Sequence, residues 1–217
     1  KFLKEHKEND IYKLNYSNIY FGNQILEAMI KTNCRKLINF SSIWQNSENN
    51  KQYNPNNLYS ATKEAFEKIL FFYIRRHRVS CITLKIYDTY GYGDKRKKII
   101  NFILEKIKKK NRKLTLYNKN QELNLTHYSD INSAINSTIK ILNKQNNKRI
   151  FKTFAVRSNN TFKIHQIVKK IEQVFKVKLI INWKKGNNVI KKINKTFTIL
   201  PKWKAKKNFI TGLKEYL

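Results

Sequence analysis

An open α/β fold with parallel strands is predicted by three features of the sequence. Helix-like and strand-like hydrophobic patterns alternate along the chain, the early strand-like runs stop at hydroxyls or glycines, and internal repeats and long linkers are absent. Alternation of this kind joins parallel strands through helical crossovers, and ligands of such sheets gather beyond the carboxyl ends of the strands.

The elements follow in order. In "LNYSNIYFGNQILEAMIKTN", Leu14, Ile25, Leu26, Met29 and Ile30 fall at helical spacings, and "RKLINFSS" is a short apolar run ending in Ser41 and Ser42. After Pro55, Asn57 is placed to cap a helix whose apolar face holds Ala61, Ala65, Phe66, Ile69, Leu70 and Tyr73. The β-rich "SCITLKIYDTYGYGD" stops at Gly91 and Gly93, which leaves Asp88 and Tyr90 at a strand end. A basic helix over "KRKKIINFILEKIKKKN", a strand at "KLTLY" and the segment "NLTHYSDINSAINSTIKIL" come next. A strand at "RIFKTFAV", a helix near "KIHQIVKKIEQVF", a strand near "KLIINW" and a helix near "KKNFITGLKEYL" complete the series.

Composition narrows the function classes. The 217 residues are 41% hydrophobic, ample for a packed core, and carry a formal charge of +32. That charge would suit nucleic acid. However, lysine dominates it, Asn and Ile are abundant throughout, and the one dense run, Lys106 to Lys113, reads as the solvated end of a helix, so no specific nucleic-acid partner is expected. Cys34 and Cys81 lie far apart with no CxxC or His partner at metal spacing, which supports neither a zinc site nor a disulfide framework and fits a reducing cytoplasm. No run is long and apolar enough to predict a membrane helix.

The chemistry-bearing constellation lies in "NPNNLYSATKEAFEKILFFY". Tyrosine ordinarily titrates near 10, so proton exchange near neutrality needs assistance. Lys63 stands four residues after Tyr59, on the same helix face, and Tyr59 falls in the first turn, where the helix dipole favours a phenolate. Ser42, 17 residues earlier at a strand end, is the candidate hydroxyl for holding the oxygen that gains or loses the proton. A YxxxK match alone is better explained by a surface tyrosine beside a solvated lysine; its place after a Ser-Ser strand end, at the opening of a helix and before "DTYGYGD" makes the pattern much more specific.

With those residues in hand, "NYSNIYFGNQILEAM", "LINFSSIWQ", "NPNNLYSATKEAFEKIL", "LKIYDTYGYGDKRKKIIN" and "LTHYSDI" together resemble the extended short-chain dehydrogenase/reductases, the NAD-dependent epimerase/dehydratases. "SSIWQ", "LYSATKEAFE" and "YDTYGYGDKRKK" look most like the sugar-nucleotide 4-keto reductases, a group that includes CDP-abequose and CDP-paratose synthases of O-antigen biosynthesis. The resemblance implies a Rossmann-like doubly wound parallel sheet with a smaller C-terminal substrate-binding part, NAD or NADP as cofactor, and a nucleotide-sugar substrate. It implies that Tyr59 donates or accepts the proton, that Lys63 binds the nicotinamide ribose, and that Ser42 holds the substrate oxygen. Ser41 and Tyr90 are then expected on the cofactor side and Asp88, Arg96 and Lys98 on the substrate side, although Asp88 and Tyr90 read equally well as capping or core groups, and Arg96 and Lys98 as a solvated helix start. Asp130 matches a position that caps or anchors a helix. A homodimer through helices is an open expectation.

The family's GxxGxxG run is absent from the 217 residues, so the chain is expected to lack the first strands of the sheet and half of the cofactor site. The implied division is an incomplete cofactor domain over 1–93 and a substrate-side part over 94–217, with 113–157 partly returning to the sheet. Such a truncated sheet is expected to be unstable or to aggregate. Ile43, Trp44 and Gln45 follow Ser42 where a dehydratase has an acidic residue, which favours reduction over dehydration. Epimerisation, and a non-catalytic binding protein that keeps the fold, stay open.

Overall fold

The structure is a computed structural model and describes residues 6–47, 51–144, 149–186 and 193–217. It divides into two compact units, the first of Lys1–Tyr87, Ser133–Val156 and Asn194–Trp203, the second of Asp88–Asn132, Arg157–Ile193 and Lys204–Leu217.

The first unit is built on three parallel strands, β1 (Lys36–Ser42), β2 (Ser80–Ile86) and β7 (Phe151–Val156), in the order β1-β2-β7. Lys36 pairs with Ser80 and Ser42 with Ile86, while Cys81 pairs with Phe151 and Ile86 with Val156. Beyond β7, Ala155 bridges Ile199 in parallel. The central strand β2 is buried from Cys81 to Lys85, as a parallel strand flanked on both sides should be. Burial pushes the Cys81 thiol up to about 12.

Helix α1 (Asp10–Asn15) passes through a π-helical turn, Tyr16–Tyr20, into α2 (Phe21–Lys31), where the sequence predicts uninterrupted helix. In that turn the buried Asn18 donates to Thr62 Oγ1 at 2.9 Å, tying it to α3 (Leu58–His77). Gly22 sits where a Cβ would strike the Phe66 ring, so α2 approaches α3 only because that position carries no side chain. Leu26, Met29, Phe66, Leu70, Tyr73, Ile74, Val79 and Cys81 form the core beneath. Asn57 caps α3 as its position predicts, accepting from Ser60 N at 2.9 Å while its own N–H reaches Ser60 Oγ at 3.2 Å.

The second unit pairs β3 (Asp88–Tyr90) with β6 (Leu125–His127) and β4 (Lys113–Tyr117) with β9 (Ile180–Lys184), both parallel. Strand β5 (Glu122–Leu123) pairs antiparallel with β8 (Phe162–Lys163). Leu114 and Leu116 alternate inward from β4 to meet α4 (Ile99–Lys108), α6 (Ile164–Phe175) and α7 (Phe209–Lys214) in one apolar cluster. Helix α4 is shorter than its basic sequence predicts: the Asn101 amide donates to the carbonyls of Asp94 and Arg96, and the Lys98 ammonium folds back on the Thr89 carbonyl, so the residues before Ile99 form a structured turn. Asp130, in the first turn of α5 (Tyr128–Asn143), accepts from the backbone of Lys206 and Lys207 at 2.9 and 3.1 Å, an anchoring role. Among the described residues no helix is long and apolar enough to cross a membrane.

Candidate active site

The carboxyl end of β1 turns directly into a 3-10 turn, Ile43–Gln45, and this turn organises the serines. Ser42 Oγ accepts from Trp44 N at 3.2 Å and Gln45 Oε1 accepts from Ser42 N at 3.0 Å, so the Ser42 oxygen is fixed and its hydrogen is directed away from Trp44. Ser41, buried, contacts both Gln45 Oε1 and Glu67 Oε1 through its hydroxyl. The strand end is thereby tied to the third turn of α3.

Tyr59 is the second residue of α3 and Lys63 lies one turn on, both partly buried. Burial pushes the Lys63 ammonium below the ordinary lysine value of 10.5 and Lys85 adds to this, while Glu67 pulls it back up. Lys85 lies on β2 with only 5% of its side chain exposed, 3.9 Å from Glu67 Oε2. It too is pulled down, chiefly by burial, against Glu67 and Glu64. Gln45 Nε2 donates to Glu64 at 2.6 Å and to Glu67 at 3.1 Å. The first unit thus brings Ser41, Ser42, Tyr59 and Lys63 onto one strand end and the helix packed on it. Glu67, Gln45 and Lys85 are the members that sequence reasoning missed. The 59–63–67 spacing carries the signal for Glu67, since each step is one turn of the same helix face.

The remaining candidates belong to the second unit. Tyr90 is 4% exposed and packs edge-on against His127 and Phe209 at centroid distances of 5.1 and 5.2 Å. Burial, with Asp130 and Glu215, holds its hydroxyl far above the usual tyrosine range. Asp88 begins β3, partly buried. Arg96 donates from Nε and Nη2 to Asp94, each at 2.7 Å, and from Nη2 to Thr89 Oγ1 at 3.1 Å. Lys98 donates to the Thr89 carbonyl and hydroxyl at 2.8 and 2.7 Å, and burial followed by Arg96 brings its ammonium down to about 8. Arg96, Asp94, Tyr92 and Tyr128 line a cleft of about 210 Å³. Among the described residues no group of His, Cys, Asp and Glu could hold a metal ion.

A parallel sheet whose strands are joined through helices defines the class as a Rossmann-like α/β fold. The chain belongs to the NAD dependent epimerase/dehydratase family, whose model matches residues 4–156. It is 27% identical over 150 residues to the CDP-abequose synthase of Yersinia pseudotuberculosis, an alignment covering 69% of this chain and 51% of that protein. The chain therefore spans about half the length of the curated relative it matches. Among solved structures it superposes on a putative epimerase from Burkholderia cenocepacia with a TM-score of 0.81 at 12% identity, covering 98% of this chain and 72% of the other. The UDP-glucuronic acid 4-epimerase of Bacillus cereus, in complex with UDP-glucuronic acid and NAD, gives 0.77 at 17% identity, with coverage of 93% and 67%. The dTDP-glucose 4,6-dehydratase of Bacillus anthracis, in complex with NAD, gives 0.75 at 19%, with coverage of 98% and 69%.

Proposed function

We propose that this chain carries the catalytic part of an NAD(P)-dependent oxidoreductase acting on a nucleotide-activated sugar, with reduction of a 4-keto group as its reaction. The observation that carries the reading is the position of Tyr59 and Lys63 in successive turns at the start of a capped helix whose third turn is bonded to the serine-bearing strand end. The residues suit the nicotinamide end of a dinucleotide: Lys63 offers a partly buried ammonium to ribose hydroxyls, and Ser41 and Tyr90 are the further cofactor candidates that the resemblance implies. Bound there, the nicotinamide supplies a hydride equivalent. Tyr59 gives its phenolic proton to the substrate oxygen, Ser42 O–H holds that oxygen as charge develops on it, and the Lys63 ammonium stabilises the phenolate left behind. Asp88, Arg96 and Lys98 are the substrate-side residues of the same reading; Arg96 and Lys98 suit a diphosphate chemically, through charge-assisted donors. The match to a CDP-abequose synthase, and Ile43 where a dehydratase has an acid, favour reduction over epimerisation or dehydration. A paired assembly fits the exposed tyrosines Tyr12 on α1 and Tyr16 and Tyr20 in the π-helical turn, whose rings lie tilted against one another at centroid distances of 5.8 and 5.3 Å.

The test is a titration with NADH and NADPH followed by nicotinamide fluorescence, then deuteride transfer from labelled cofactor to a nucleotide-linked 4-keto-6-deoxy sugar. Saturable binding that weakens at least tenfold in Lys63→Ala, with label in the product of the parent and none from Tyr59→Phe, supports the reading. A folded chain that binds neither cofactor overturns the reading and leaves the second one, a binding protein without turnover.

A further inference from the structure

A cleft of about 560 Å³ opens in the second unit between α6, β9 and the turn after β4, and the proposed reaction uses none of its residues. Its size falls within the range of about 300–1,000 Å³ typical of small-molecule sites. The apolar part of its lining comes from the packed cluster: Ile181 and Trp183 alternate on one side of β9, paired in register with Leu114 and Leu116, and Val168 and Leu179 complete it. Trp183 and Ile181 stay half-buried, so each is shared between the cluster and the cleft.

The charged part of the lining is dominated by one sign. Lys119, Lys169 and Lys178 stand exposed at the cleft, and none of them is ion-paired among the described residues. The one carboxylate there, Glu172, accepts from the Leu179 amide at 2.8 Å and so holds the turn between α6 and β9. His165 donates from Nδ1 to the Lys119 carbonyl at 3.1 Å, which ties α6 to the turn after β4 and leaves Nε2 for a ligand. Solvated lysines are expected anywhere on a chain of charge +32. Three of them around an apolar hollow with an indole in its wall offer charge and aromatic surface to a single bound molecule.

We propose that this cleft is a second ligand site of the chain and takes a nucleoside monophosphate, with its base against Trp183 and its phosphate among Lys119, Lys169 and Lys178. A planar base buries its face against the indole and the aliphatic side chains beside it, as bases do on aromatic residues elsewhere. The phosphate meets the ammonium groups through charge-assisted hydrogen bonds. The Asn120 amide and His165 Nε2 supply donors and acceptors for the polar edge of the base. A bare phosphate would leave the indole unused, and an aliphatic anion would leave Asn120 and His165 unmatched. The site goes beyond the reaction proposed above and does not depend on it.

The experiment is a titration of the full chain with AMP and CMP at physiological ionic strength, followed by calorimetry and by quenching of tryptophan emission, with ribose 5-phosphate as the base-free probe. Lys169→Gln with Lys178→Gln removes two charges from the cleft, and Lys108→Gln with Lys110→Gln removes two from the basic run at the end of α4. Trp183→Phe identifies which of the three tryptophans responds. Near-UV circular dichroism reports whether each variant is folded. The expected result is saturable nucleotide binding that weakens about tenfold or more in the cleft variant and changes less than about twofold in the α4 variant. Ribose 5-phosphate should bind about tenfold or more weakly than the nucleotide, and most of the quenching should disappear in Trp183→Phe. No saturable binding, equal loss in the two lysine variants, or ribose 5-phosphate as tight as the nucleotide overturns the proposal. Should Trp183→Phe not fold, the two lysine variants decide. Nucleotide binding lost in Arg96→Gln but kept in the cleft variant would reject this site and favour the proposed substrate side. Loss confined to the cleft variant, in a chain that transfers no deuteride, would keep this site and reject the proposed function.

Discussion

The two units place their ionisable groups differently. In the first, a buried lysine on the central strand and a fully buried glutamine meet two partly buried carboxylates of α3 near the strand end. In the second, a continuous apolar cluster runs from Ile100 and Ile103 through Ile167 and Ile171 to Leu213, the buried His127 and Asp130 are held by Glu215 and by the Lys206 and Lys207 amides, and the Arg96–Asp94 pair lies at a cleft edge. Apolar burial gains stability in proportion to area, whereas a buried charge pair roughly breaks even against an apolar substitute and is disrupted when one member is removed. The second unit thus ties its buried ionisable groups to a neighbouring carboxylate and to backbone amides beside a packed core, whereas the first places a buried ammonium on its central strand.

The contrast can be broken most forcefully in the second unit. Ile167→Ala, at a side chain with 0% exposure, is expected to cost about 4 kcal/mol in chemical denaturation, with the loss confined to packing and insensitive to salt. In the first unit the largest effect should come from charge. Glu67→Leu alone should destabilise by about 3 kcal/mol, while Glu67→Leu with Lys85→Met should come back close to the parent. Equal losses from the single and double variants would show that Glu67 matters through packing alone, and the contrast between the units would vanish.

A titration sharpens the comparison from the other side. Lys98, partly buried and near Arg96, is brought down to about 8 against the usual 10.5. Between those values the unfolded chain carries a proton that the folded protein has shed, so stability rises as pH climbs from about 8 and levels off near 10.5. The parent should therefore gain about 2 kcal/mol over that window relative to Lys98→Met, measured by denaturation at stepped pH. A flat difference would show that Lys98 is solvated in the folded state. The smallest effect belongs to the helix that carries Tyr59: Asn57→Ala removes the cap on Ser60 N and should cost about 1 kcal/mol, read as a lower thermal midpoint.

Much of this was legible in the chain itself. The strand "KLTLY" is β4 as written, the Ser-Ser strand end closes β1, and Asn57 caps α3, because period, turn residues and caps are local signals. The π-helical turn at Tyr16–Tyr20 was not legible: the same residues read as ordinary helix until Asn18 reaches Thr62, 44 residues away. Lys85 shows the same limit. Its neighbours mark a buried strand and its own type marks a solvated surface, and only the helix crossing above it supplies the carboxylate that reconciles the two.

By itself the sequence determined the alternation of elements, the family to which the chain belongs, and the pairing of Tyr59 with Lys63 across one helical turn. These rest on spacing along a single element, which the backbone period converts directly into a shared face. The tertiary structure decided which side chains complete the constellation: Glu67 with Ser41 and Lys85, Arg96 and Lys98 turned onto Asp94 and Thr89, and Tyr90 buried against His127 and Phe209. Those contacts join residues from different strands, helices and loops. Their electrostatics depend on burial, which exists only once the elements have packed.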